Sequence, residues 1–254
     1  MTTPEGSALN TRHQPAVGAA LMALIRLFAS TVATRTRLLV LGLLGALGVL
    51  IAVLIRLNND VSLVDGVDFV NDLGLSILLP LTALVLGAAT FGDLRDDGTL
   101  VYLWLRPAPR WIPVVAAFLT TVGVVVPLVG VPLMAMAAIT TSSNSDALIG
   151  TALSTAVGAA AYSALFVALG LRVRRHLVWG IGYILIWEGF VAGAGTNAAR
   201  LAVRSHTRSL LAWATDVDLG LADSSLVAAL LIPLGATVLA LTYATRRFTR
   251  SDID

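Results

Sequence analysis

Six stretches of this sequence run for at least 18 residues with almost no charge: 38–55, 73–91, 111–139, 148–171, 177–194 and 226–244. At 1.5 Å per residue, a helix of that length covers roughly 27 Å, close to the thickness of a bilayer's hydrocarbon core. Backbone N–H and C=O groups in lipid must be satisfied internally, which an α-helix achieves within one segment. The expectation is therefore an all-α membrane protein with six transmembrane helices. Composition agrees, because 57% of the 254 residues are apolar and only 13% charged, about half the charge of ordinary soluble domains. Residues 16–254 read as one transmembrane domain. Residues 1–15 read as a flexible polar tail without the basic region, apolar core and cleavage site of a secretory signal. Pro113, Pro127 and Pro132 predict a bend in the long third segment, and Pro80 and Pro233 loosen two others.

The basic residues set the orientation. All 17 are arginine. With the N-terminus inside, the inner segments hold 13 of them, including Arg26, Arg35, Arg37, Arg95, Arg106, Arg110, Arg172, Arg174 and Arg175. Only Arg56, Arg200, Arg204 and Arg208 fall outside, where Asp60, Asp65, Asp68 and Asp72 crowd the first loop, 56–72. Positive charge collects on the cytoplasmic side, so both termini are expected there, in a multi-pass protein of a bacterial plasma membrane. The missing lysine excludes a phosphate-binding loop of the G-x-x-x-x-G-K-[ST] type and any Schiff-base chemistry. With no cysteine, neither a disulfide nor a thiolate site can form.

Two further segments have amphipathic spacing. Over 17–32, the residues Leu21, Leu24, Ile25, Phe28 and Val32 share one helical face, which predicts a helix in the inner interface. Over 197–214, Arg200, Arg204 and Arg208 recur every four residues. A continuous outer helix is expected there, lying on the membrane or re-entering it as a gate. Glu188 is the one carboxylate well inside a predicted span, and such a residue is a candidate for a proton relay or substrate contact. Bonding to a neighbouring helix or reaching the interface is the plainer role. Glu188, Arg200 and Arg204 together form a candidate substrate path or gate. No catalytic or metal site is read: His13, His176 and His206 lack a second ligand at helical spacing. Ser76 and His176 belong at opposite membrane faces, beyond nucleophile–base reach.

The longest polar interruption, FGDLRDDGTLVYLWLRPAPR at 91–110, holds a short apolar run. Asp96 and Asp97 suit the N-cap and first turn of a helix over 99–105, and Pro107 forbids its continuation past Arg106. Leu100, Leu103 and Trp104 share one face, Val101 and Leu105 another. A two-turn helix apolar on two faces is marginal alone and needs a partner beyond the membrane rim.

These residues resemble the first cytoplasmic loop of type-2 ABC exporter permeases, an acidic-Arg-acidic-x-Gly-Thr-Leu-x-x-Leu pattern followed by Pro-x-x-Arg. Asp93, Arg95, Asp97, Gly98, Thr99, Leu100, Leu103, Pro107 and Arg110 occupy the matching places, with aspartates for the usual glutamates and bulkier Tyr102 and Trp104. The resemblance implies a coupling helix built around Asp96, Asp97, Gly98, Thr99, Leu100, Leu103, Trp104, Arg106, Pro107 and Arg110. It also implies separate cytoplasmic ATP-binding subunits holding ATP and Mg, and a second permease protomer, homo- or heteromeric. The chain itself would carry no cofactor, hydrolyse nothing and bind no nucleic acid; its surroundings are the lipid bilayer. Family membership further implies a lipophilic or amphipathic exported cargo, such as a drug or lipid. The alternative is an ion-coupled secondary transporter that uses Glu188.

Overall fold

A computed structural model describes residues 17–58, 60–104, 109–191, 193, 195–220 and 224–250. The tail at 1–15, with His13, lies outside them, as do Arg106 and Pro107. The described residues form helices and no strand. In chain order these are α1 (Val17–Val32), α2 (Arg35–Asn58), α3 (Leu63–Asp96), α4 (Leu100–Trp104), α5 (Trp111–Thr140), α6 (Ser145–Arg172), α7, α8 (Thr196–Ala199), α9 (Val203–Thr215) and α10 (Leu226–Arg250). Helix α7 begins as an α-helix over His176–Gly182 and continues as a π-helix over Tyr183–Val191.

Five of them, α2, α3, α5, α6 and α10, are long and apolar enough to cross a membrane. The predicted segment at 177–194 is helical over most of its length, but shorter than these five. Helix α6 is the hub, packed by α3, α5, α9 and α10, while α2 and α1 lean on α5. Glycines permit the closest crossings. A Cβ on Gly158 would meet Leu79 of α3 and Thr207 of α9, and one on Gly170 would run into the Ala88 carbonyl of α3.

The bundle has two chemically distinct ends. At the arginine-rich end, the face predicted for α1 buries Leu24, Phe28 and Val32. Phe28 meets Phe91 edge-on with ring centres 5.5 Å apart, and Phe91 lies 5.9 Å from Phe248. Arg37 makes a two-pronged ion pair with Asp93 at 2.7 and 3.1 Å, fixing the start of α2 to α3. Asp60, Ser142 and helix α9 mark the opposite end. There Asn144 caps α6 by accepting the N–H groups of Asp146 and Ala147, both at 3.0 Å.

Three expectations need correction. Residues 56–72 are largely helical, because Ser62 Oγ accepts the Asp65 N–H at 3.2 Å and starts α3 ten residues before the predicted span. Asp65, Asp68 and Asp72 therefore ride on α3. Secondly, Asp96 and Asp97 terminate α3 instead of capping α4. Gly98 at φ +67° turns the chain left-handed, and the Thr99 N–H returns to the Leu94 carbonyl at 2.9 Å, a helix-stop geometry. Thirdly, the helix expected over 197–214 is broken at 200–202 into α8 and α9. Arg200 thus leaves the row that Arg204 and Arg208 share. Helix α5 runs unbroken through Pro127 and Pro132, with Pro113 in its first turn where no α-helical N–H is required.

Candidate functional site

Two adjacent π-helical segments organise the end that carries α9. In α3, residues Val70–Leu78 are π-helical, and the Leu79 N–H reaches back five residues to Gly74. Pro80 follows directly, and its lack of an N–H removes one α-helical bond at this point. In α7 the π-helical stretch is Tyr183–Val191. Single π-turns inside α-helices are rare and concentrate at functional sites; nine residues in each of two neighbouring helices is an unusual extent.

Glu188 projects from the second of these and is only 2% exposed. Its Oε1 accepts the Val203 N–H at 3.1 Å and the Tyr183 hydroxyl at 2.8 Å, and its Oε2 accepts the Arg204 N–H at 3.0 Å. The carboxylate thus caps the first turn of α9, where free N–H groups and the helix dipole both favour a negative charge. This contact also explains the break at 200–202: Glu188 takes the donors with which a new helix begins. Behind it, Tyr162 stacks on Phe166 at 6.0 Å, and Phe166 meets Tyr183 edge-on at 6.1 Å.

Asp72 answers from the other π-helix. It lies 3.3 Å from Arg208 and 3.7 Å from Arg204, while Asn71 Oδ1 accepts from Arg208 Nε at 3.4 Å. Burial pulls the Arg208 guanidinium below its ordinary pKa, with Arg204 acting in the same direction and Asp72 opposing. Helix α9 is fixed to α6 as well, where Ser154 Oγ donates to the Thr207 carbonyl at 2.8 Å. His206 Nε2 donates to the Arg200 carbonyl at 2.9 Å, and its Nδ1 has no partner.

Of the predicted path residues, Glu188 and Arg204 meet through the Arg204 N–H, while Arg200 lies exposed on the turn before α9 and its carbonyl accepts from His206 instead. Sequence reading missed Asp72, Ser76, Tyr183 and Arg208. A period near four linking Asp68, Asp72 and Ser76 was the available signal, but it lay partly in what read as a loop. Between α3 and α7 opens a cavity of about 420 Å³, bounded by Asp72, Ser76, Glu188 and Arg204 at its polar end.

At the arginine-rich end, α4 is anchored by Leu103, which is 6% exposed and packs among Leu24, Phe28, Phe91 and Ile112. Tyr102 and Val101 face outward, Tyr102 at 70% exposure. Leu100 is half-buried. Asp93 and Arg95 are engaged within the chain, Asp93 with Arg37 and Arg95 with the Leu171 carbonyl. Arg110 stands immediately before α5. His176 is buried against Gly92, far along α3 from Ser76.

Fold and site together define an all-helical, membrane-embedded protein with one polar cluster at one end of its bundle and a short protruding helix at the other. Compared with protein-family models and with curated proteins, the chain matches none.

Proposed function

We propose that this chain is the membrane-spanning permease subunit of an ATP-driven exporter of the type-2 ABC class. The observation carrying this reading is helix α4: held to the bundle by Leu103, it turns Tyr102 and Val101 away from the protein at its arginine-rich end. An apolar and aromatic surface on a five-residue helix gains nothing from water and suits a docking partner. That partner would be a separate ATPase subunit supplying ATP and Mg, at the cytoplasmic face of a bacterial plasma membrane. Helix α7 would serve as the sixth span. Its exposed side away from the α3 groove, with Val178, Trp179, Ile186 and Phe190, suits a second permease protomer. Closure of the ATPases would shift α4, tilt the spans and open an export path for a lipophilic or amphipathic cargo such as a drug or lipid, with Glu188 and Arg204 beside it. Differential contact of α4 in the two nucleotide states is the energetic requirement.

Affinity purification of the intact chain from its native membrane tests this. An ATP-hydrolysing subunit should accompany the unaltered protein and be lost from Tyr102→Asp, a change at an exposed side chain that spares the buried Leu103 anchor. Full retention of the ATPase by Tyr102→Asp would refute the docking role. Transport that persists without ATP but disappears in Glu188→Gln would instead favour an ion-coupled carrier.

A further inference from the structure

The cavity between α3 and α7 has a polarity gradient along both walls. On α3 the order from the α9 end inward is Asp72, Ser76, Ile77, Leu81; on α7 it is Glu188, Leu185, Ile184, Ile181. The α3 wall runs from charge through a hydroxyl to pure hydrocarbon, and the α7 wall from charge directly to hydrocarbon. A membrane phospholipid runs through the same sequence: charged headgroup, ester linkage, acyl chain. The cavity's volume of about 420 Å³ falls within the range of small-molecule sites and suits a headgroup with the upper part of a chain. Ile77, Ile181 and Leu185 are about half exposed or more, so the groove opens sideways, where the bilayer would lie.

The polar end carries a specific charge pattern. Glu188 is satisfied by three donors and by the α9 dipole, so its charge is matched within the protein. What remains is Asp72 between two guanidiniums, Arg208 at 3.3 Å and Arg204 at 3.7 Å, with its side chain 66% exposed and the longer contact to Arg204 loosely joined. A loose, partly wet ion pair presents one positive and one negative pole side by side. A zwitterionic headgroup offers the inverse arrangement: its phosphate meets the guanidinium and its ammonium the carboxylate, both as charge-assisted hydrogen bonds. A net anionic headgroup gains only half of this, since it brings no ammonium to Asp72. A choline cannot donate a hydrogen bond to Asp72, whereas an ethanolamine ammonium can.

Ser76 supplies an independent indication. Its hydroxyl is buried and without a hydrogen-bond partner, and it lines this cavity. Buried Thr120, Thr121, Thr140 and Thr151 back-bond to the carbonyl four residues earlier at 2.7–2.9 Å, whereas Thr155 and Ser163 of α6 are unpartnered as Ser76 is but do not line this cavity. Ser76 sits in the π-helical stretch, where the five-residue bonding register displaces that carbonyl. A buried hydroxyl left unsatisfied is costly, and an ester carbonyl one turn below a headgroup would accept from it.

We propose that this groove holds one ethanolamine-type zwitterionic phospholipid, with phosphate on Arg204, ammonium on Asp72 and an ester carbonyl on Ser76. The acyl chain lies along Ile77, Leu81, Ile181, Ile184 and Leu185. The site does not depend on what, if anything, the chain transports, and is read by binding alone.

The purified full chain in detergent, offered equal amounts of phosphatidylethanolamine, phosphatidylcholine and phosphatidylglycerol, should retain mainly phosphatidylethanolamine in native mass spectrometry. Arg204→Gln should reduce that retention about tenfold, the loss of one charge-assisted bond. Ile181→Trp fills the groove and leaves every charge in place, so it decides the matter should Arg204→Gln unfold. It should abolish retention while the lipid-free melting temperature is kept. Soluble glycerophosphoethanolamine should not compete, because it lacks the chain. Equal retention of the three lipids, preference for the anionic lipid, or unchanged retention in Ile181→Trp would each overturn the assignment.

Discussion

Glu188 receives three hydrogen bonds on one buried carboxylate, two from the start of α9 and one from Tyr183 of its own helix. Replacing it by alanine leaves two N–H groups at the start of α9 and the Tyr183 hydroxyl unanswered. The cost should be about 3 kcal/mol, read as a fall in thermal midpoint of the detergent-solubilised protein. Glu188→Gln should lose about 2 kcal/mol, because the amide NH₂ opposes one backbone donor. A Gln variant as stable as the parent would mean that the charge contributes little to the cap. His206 gives a pH dependence. Burial lowers its pKa below the ordinary 6.5, outweighing the Arg200 carbonyl and Glu188, which act the other way. The unfolded chain therefore takes up the proton first. Stability is full above about pH 6.5 and declines as pH falls through the lower native value. His206→Gln should flatten melting temperatures between pH 6.5 and 5, where carboxylates hardly contribute.

At the scale of elements, the long apolar helices were plain in the sequence because hydrocarbon thickness and charge avoidance both leave linear traces. The predicted face of α1 was equally legible: Leu24, Phe28 and Val32 are its buried residues. Boundaries were harder. Asp65, Asp68 and Asp72 read as loop because charges interrupt hydropathy, yet a single hydroxyl cap at Ser62 begins the helix before them. Asp96 and Asp97 had the composition of an N-cap, but the backbone reversal at Gly98 assigns them to the preceding helix. The break before α9 was illegible locally, since its cause is Glu188, 15 residues away. Close helix crossings are also invisible in hydropathy. Gly170→Ala would drive a methyl into the Ala88 carbonyl of α3, backbone that cannot swing aside. It should destabilise by about 1–3 kcal/mol, whereas Gly42→Ala, with nothing within 4 Å of the added carbon, should leave the melting temperature unchanged or slightly raised.

The whole molecule separates its two kinds of chemistry by the length of its bundle. Because the chain contains no cysteine, single introduced thiols report that separation without background. Ser142→Cys and Tyr102→Cys lie at opposite ends, both exposed. A membrane-impermeant maleimide should label Ser142→Cys on intact cells and Tyr102→Cys only after permeabilisation. The reverse pattern would invert the arginine-based orientation; labelling of both on intact cells would contradict a spanning bundle.

Helix α3 runs for 34 residues between these ends. Its last turn leads through Gly98 into α4, and its third turn bears Asp72 against Arg204 and Arg208. Mechanically it is a strut loaded at both tips and clamped near one of them, where Gly170 presses on Ala88. Over Val70–Leu78 its wider π turns advance less per residue than α turns, so the strut is shorter than 34 α-helical residues would make it. Asp72 accordingly stands rotated from its α-helical bearing where its two arginines meet it.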